Sequence, residues 1–338
     1  MPALDEDHLL RRAARLAAGS VPAGWVGPGD DAALVPRGDG WLVASTDLSV
    51  EDVHFRRSWA PPAVLGGRAV RVALSDLAAM GAAPLGVLVS AGLPASLPGP
   101  FAEDLVRGIA AAAAAHGAAL LGGDVAGSPG GIVLDVTVLG EAPRERVRLR
   151  SGGRAGDVLA VTGPLGLARA GLLALEAGEA DAAPGPVRGF LEPAPRLAEG
   201  AWLAARPEVH AMMDLSDGLA VDGPRLATAS GTGILLELDR VPRHPEADAL
   251  ARRRGLDPVL LAAAGGEDYE LLVAVAADGF EGLAEAFARE HGRSLSPVGR
   301  LLPDAGEHRA LREGEEAPFP GPAFEHFRSP RRERGGEG

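Results

Sequence analysis

The chain contains no cysteine, lysine, asparagine or glutamine. The absence of cysteine removes disulfides, thiolate metal ligands and thiol nucleophiles together. The absence of lysine closes the Gly-Lys-Ser/Thr route to nucleotide phosphates and leaves arginine to supply all 33 basic side chains. Missing Asn, Gln and Cys suit a heat-exposed protein and a strong coding bias equally well. No run of about 18 apolar residues is present, so no membrane-spanning helix is expected. The opening Asp5, Glu6 and Asp7 lack the chemistry of a signal peptide, so the expected location is cytoplasmic, with no membrane partner. A formal net charge of −13 argues against nucleic acid as a partner.

The chain has 338 residues, 46% of them hydrophobic, and can bury two cores. Short apolar runs alternate with Ala/Leu-rich helical stretches, a mixed α/β pattern. Strands are expected at residues 41–47, 85–93 and 131–140, and helices at 60–81 and 101–116, each closed by a glycine. Arg, Gly and Ser crowd together at 143–156, where a domain boundary is expected. Beyond it the pattern predicts strands at 157–161, 234–238 and 269–275, and helices ending at Gly178, starting at Gly218 and near 280–291. Residues 178–195 read as a Pro/Gly/Ala-rich connector. The charged, glycine-rich end reads as a flexible tail.

Aspartates recur at the ends of these elements, beside glycine or small hydroxyl residues. They are Asp30-Asp31, Ser45-Thr46-Asp47, Ser75-Asp76, Gly123-Asp124, Asp214 and Ser216-Asp217-Gly218. Mg²⁺ is a hard cation that takes carboxylate, carbonyl, hydroxyl and water oxygens along with a substrate's phosphates. A set like this is what such a site draws on. Asp217 also reads as a helix cap, and Asp30-Asp31 as an ordinary turn. Asp76 differs, because it interrupts an apolar helix between Leu74 and Leu77. Two carboxylates about 4 Å apart repel by roughly 1 to 4 kcal/mol, so converging acids call for cations. The glycines before Asp124 let a backbone approach a phosphate closely.

In order and spacing these segments resemble the thiamine-monophosphate kinase family of the wider aminoimidazole-ribonucleotide-synthetase-like superfamily. The matching blocks are Gly29-Asp30-Asp31-Ala32-Ala33, Ser45-Thr46-Asp47 with Val53-His54-Phe55, and the run from Leu74 to Ala82. They continue with Gly122-Gly123-Asp124, Arg150-Ser151-Gly152, the run from Asp214 to Leu219, the run from Gly265 to Leu271, and His326-Phe327. The resemblance implies a two-domain α/β (α+β) synthetase-like fold. Residues 1–148 would form an N-terminal domain for metal and ATP binding and dimerisation, 149–328 a C-terminal domain, and 329–338 a flexible tail. A homodimer joined through its N-terminal sheets is implied, with each active site in a cleft between domains.

The implied activity is Mg²⁺-dependent transfer of the ATP γ-phosphoryl group to thiamine monophosphate, giving thiamine diphosphate and ADP. Implied positions for several Mg²⁺ ions are Asp30, Ser45, Thr46, Asp47, Asp76, Asp124, Asp214 and Asp217. Implied ATP contacts are Gly123, Asp124, Arg150 and Ser216; implied substrate contacts are His54, Glu267 and Phe324. No general base is nominated, because a phosphate with a second pKa of about 6 is already largely ionised near neutral pH. The chain departs from the family pattern at Asp52, commonly glycine, at Val125-Ala126, commonly a Thr-bearing stretch, and at Phe324, often Tyr or Trp. Two alternatives stay open. One is another ATP-dependent kinase or synthetase of the superfamily acting on a different small phosphate. The other is a catalytically silent nucleotide-binding relative.

Overall fold

The structure is a computed structural model, and residues 6–321 are described. Phe324 and the 329–338 tail lie outside the described residues. After α1 (Glu6–Ala17), the first half contains β1 (Ala33–Arg37), β2 (Gly40–Val50), α2 (Pro62–Ala79), β3 (Ala83–Pro94), α3 (Gly99–Ala115), β4 (Ala119–Ser128) and β5 (Val133–Pro143). Its five strands form one sheet in the order β1-β2-β5-β3-β4, with β3 and β4 the parallel pair. The second half begins with β6 (Val158–Val161), α4 (Leu167–Glu176), α5 (Pro184–Leu191), α6 (Leu197–Ala204), β7 (Val209–Asp214) and α7 (Leu219–Ala229). It continues with β8 (Gly233–Glu237), α8 (Pro245–Arg253), α9 (Pro258–Ala264), β9 (Leu271–Val275), α10 (Phe280–His291), β10 (Ser296–Leu302), β11 (His308–Arg312) and β12 (Glu315–Ala317). A seven-stranded sheet results, in the order β12-β11-β8-β10-β6-β9-β7. No described helix is long and apolar enough to cross a membrane.

Helix α2 links the two cores. Pro62 starts it, where a missing N–H costs nothing, and Gly81, at φ 71°, takes the left-handed position just after its end. Leu65, Ala69, Ala73, Leu74 and Leu77 recur at helical spacing and are buried over the five-stranded sheet. Burying each leucine contributes about 1.5 to 3 kcal/mol. The last turn enters the other core, where Ala78 and Ala79 pack with Leu203, Ala204 and Val209. That approach needs glycine at 200, since a Cβ there would lie 2.1 Å from the Ala78 carbonyl oxygen. The end of α2 is thereby held against both halves.

Two expectations need correction. Residues 178–195, read as a connector, contain α5, whose first turn starts at Pro184 and whose Phe190 and Leu191 are buried. Burial outweighed the weak helix propensity of a Pro/Gly-rich segment. The strand expected from Tyr269 starts at Leu271, because Glu267 and Tyr269 take left-handed φ values of 69° and 49°.

Candidate active site

Four chain segments meet at the junction of the halves. Asp31 lies in the loop before β1, Ser45 and Asp47 on β2, Asp76 near the end of α2, and Asp214 at the end of β7. Carboxylate oxygens of Asp31, Asp76 and Asp214 all lie within 4.8 Å of one another. Ser45 Oγ donates to Asp76 Oδ2 at 2.6 Å. Burial, then the charges of Asp214 and Asp31, hold the Asp76 carboxyl well above the usual range. Burial and the Asp31 charge push Asp214 to about 7, and burial and Asp31 push Asp30 to about 6. The Asp47 charge also raises Asp76 and Asp214.

Asp31 Oδ2 is buried and meets no hydrogen-bond partner among the described residues. A buried carboxylate oxygen without a donor is costly unless a cation takes it up. Three carboxylates this close, all oxygen donors, fit a hard divalent cation such as Mg²⁺. Arg150 closes one side: its Nη2 donates to Asp31 Oδ1 at 2.7 Å, and its backbone N–H faces both oxygens of Asp30 at 3.2 Å.

The remaining expected residues divide. The Thr46 and Asp124 side chains do not join the cluster. Successive residues of a strand point to opposite faces, so Thr46 opposes Ser45 and Asp47, and its hydroxyl donates to Asp135. Asp124 shares with Ser90 and Asp135 the row on that same outer face. The Thr46 hydroxyl thus faces away from Ser45 and the cluster, a direction that alternation along the expected 41–47 strand already contained. Gly123 packs tightly on β3, where a Cβ would sit 1.8 Å from the Val89 carbonyl oxygen. Asp217 does not cap α7; its carboxylate pairs with Arg225, and its N–H donates to Asp222 Oδ2 at 2.9 Å. The carbonyl of Ser216 accepts from Glu267 N at 2.7 Å. His54 Nδ1 accepts from Val50 N at 3.0 Å in the turn after β2. In that turn Asp52 adopts φ 65°, a conformation glycine takes freely and aspartate tolerates.

Sequence reasoning counted Asp31 among the candidate carboxylates but not among the implied metal positions, and gave Arg68 no role. Asp31, not its neighbour Asp30, supplies the carboxylate of the tight cluster. Arg68, on α2, is buried to 2% exposure and pairs with Glu267. A charge inside an apolar helix was the available signal, as it was for Asp76.

A two-sheet chain with acids converging from both halves defines the class, and two family descriptions match it. "AIR synthase related protein, N-terminal domain" covers residues 29–142, and "AIR synthase related protein, C-terminal domain" covers residues 154–310. Within that class the chain belongs to the thiamine-monophosphate kinase family. The thiamine-monophosphate kinase of Mycobacterium tuberculosis (strain H37Rv) is 39% identical over 285 residues, covering 83% of each chain. That of Caulobacter vibrioides is 34% identical over 309 residues, 90% of this chain and 86% of its own. The structure of AaThiL complexed with AMPPCP and TMP is similar with a TM-score of 0.79 and 28% identity, covering 93% of this chain and 95% of that one.

Proposed function

We propose that this protein transfers the γ-phosphoryl group of ATP to thiamine monophosphate, giving thiamine diphosphate and ADP, with Mg²⁺ at the acid cluster. The observation that carries this reading is the convergence of Asp31, Asp76 and Asp214 from both halves, within a chain 39% identical to a thiamine-monophosphate kinase. Donor and acceptor are both polyanions, so charge repulsion is the main barrier to phosphoryl transfer. Bound Mg²⁺ would neutralise phosphate charge on both partners.

Asp31, Asp76 and Asp214 would hold the cation most directly, with Asp30, Asp47 and Ser45 beside them, and Asp217, close in sequence to Asp214, would add a further carboxylate once released from Arg225. Arg150 would offer a permanent forked charge to the triphosphate, exchanging its present Asp31 contact for a phosphate. Ser216 would line the nucleotide, and His54, Glu267 and Phe324 the acceptor. The acceptor oxygen needs no base, being already ionised. Residues 1–148 and 149–328 are the two domains in this reading. Acidic composition accords with small-molecule partners, and a cytoplasmic setting is part of this reading.

The edge strand supports the homodimer reading. All of β4 except its last residue is exposed, and Leu88, Leu121 and Val125 are 39%, 54% and 68% exposed. An unpaired apolar edge invites a second sheet, and pairing there would bury Gly123 and Asp124, the expected phosphate contacts. A molecular mass in solution of two chains is expected from light scattering; a monomer at micromolar concentration would rule this edge out. For the activity itself, purified protein with ATP and Mg²⁺ should release ADP only when thiamine monophosphate is added, and chelation should stop it. ADP release indifferent to thiamine monophosphate, or faster with another small phosphate ester, would defeat the assignment.

A further inference from the structure

The segment Glu267-Asp268-Tyr269-Glu270 has an uncommon backbone. Two of its four residues, Glu267 and the chain's one tyrosine, sit at positive φ, which is costly for a bulky side chain and persists only when the surroundings impose it. Here they do. Asp268 accepts from Gly166 N at 2.7 Å and Ala168 N at 3.1 Å, at the start of α4. Glu270 accepts from Thr162 Oγ1 and Arg196 Nη2, each at 2.7 Å. Asp268 and Glu270 line a cavity of about 550 Å³ in the second half. Backbone bonds from Glu267 N to the Ser216 carbonyl (2.7 Å) and Tyr269 N to the Leu215 carbonyl (3.1 Å) strap the segment to the chain just after Asp214.

With Asp268 and Glu270 anchored in the second half, the Glu267 carboxylate turns to Arg68 of the first. Arg68 has little freedom. Its side chain is 3% exposed, its Nε donates to the Phe190 carbonyl at 3.0 Å, and its guanidinium lies 4.5 Å from the Phe190 ring centroid. Tyr269, 5% exposed, lies where the charges of Glu267, Arg68, Asp47 and Asp214 all act on its phenol.

We propose that Arg68 is a positioning residue for the phosphate acceptor: it fixes the Glu267 carboxylate across the junction of the halves, at a set place relative to Asp214. The proposal rests on the kinase reading above. A fork that serves Phe190 and Glu267 at once is something only arginine supplies. The Glu267 backbone N–H reaches the Ser216 carbonyl on the expected nucleotide side, but the Glu267 carboxylate turns to Arg68, and Arg150 to Asp31.

Steady-state kinetics of Arg68→Ala, Arg68→Lys, Glu267→Gln and the Arg68→Ala/Glu267→Gln double variant test it. Arg68→Ala and Glu267→Gln should each raise KM for thiamine monophosphate by about ten-fold or more, the effect of losing one charged hydrogen bond. KM for ATP should stay within about two-fold, because the lost contact does not face ATP. Arg68→Lys should recover part of the loss, and the double variant should be no worse than the worse single one, as for residues acting as a unit. Equal rises in both KM values, a fall in kcat alone, or additive losses in the double variant would overturn the proposal. Should Arg68→Ala not fold, Arg68→Lys and Glu267→Gln carry the same comparison. A wild-type protein inactive on thiamine monophosphate would instead overturn the kinase reading, and the proposal with it.

Discussion

Asp76→Asn should abolish turnover and, in the absence of metal, make the protein more stable. The two effects share one cause. Asp76 lies within 4.8 Å of Asp31 and Asp214, and burial plus their charges already hold its carboxyl above the usual range. Each such contact is repulsive by roughly 1 to 4 kcal/mol, and the folded chain bears that repulsion until a cation binds. Asparagine keeps the shape and still accepts the Ser45 hydroxyl, so packing survives while one like charge is removed. Melting of the metal-free variant should rise by about 2 °C or more. The same change removes an anionic oxygen from the cation site, and loss of one electrostatic partner at a phosphoryl-transfer centre costs about 10² to 10³-fold in rate or more. Function here is held against stability. Wild-type turnover by Asp76→Asn, or a lower melting temperature in chelator, would remove Asp76 from the site.

The second large effect is the pH dependence of the metal-free protein. Asp30 and Asp214 have folded values of about 6 and about 7 against 3.8 in a free chain. The folded state therefore binds these protons more tightly than the unfolded state. Their contribution to stability is complete below 3.8 and is lost as pH rises through 6 and then 7. Asp222, pushed to about 8, and Asp268, to about 7, act with the same sign away from the cluster. In chelator the melting temperature should fall between about pH 5 and pH 8, the reverse of ordinary paired carboxylates. Mg²⁺ selects the ionised cluster, so the melting-temperature gain on adding it should grow over the same interval. Melting curves across a pH series with chelator or with Mg²⁺ decide this. A gain independent of pH would mean that the cation binds elsewhere.

The chain's own residues made the chemistry legible before the fold. Without lysine or cysteine, and with aspartates placed beside glycines at element ends, few routes to phosphate remained besides oxygen-bound metal. Asp76 was visible as a charge in an apolar helix, and the motif order from Gly29 to Leu271 pointed to one family. The alternating α/β pattern and the long elements β2, α2, β3 and α3 were also readable, because their periodicity is local. Short, deeply buried pieces such as α5 were not, because long-range burial sustains them more than propensity does.

Within the candidate site, the sequence determined which residue types were available, and the tertiary structure decided which of them meet. Asp30 and Asp31 are identical neighbours, yet one accepts from the Arg150 backbone and the other turns its carboxylate to Asp76 and Asp214. Arg68 and Glu267 lie 199 residues apart and pair only because α2 and the end of β7 pack together. Local chemistry is written residue by residue, but the direction of a side chain and the company it keeps depend on contacts distant in sequence, which exist only once both cores have closed around α2.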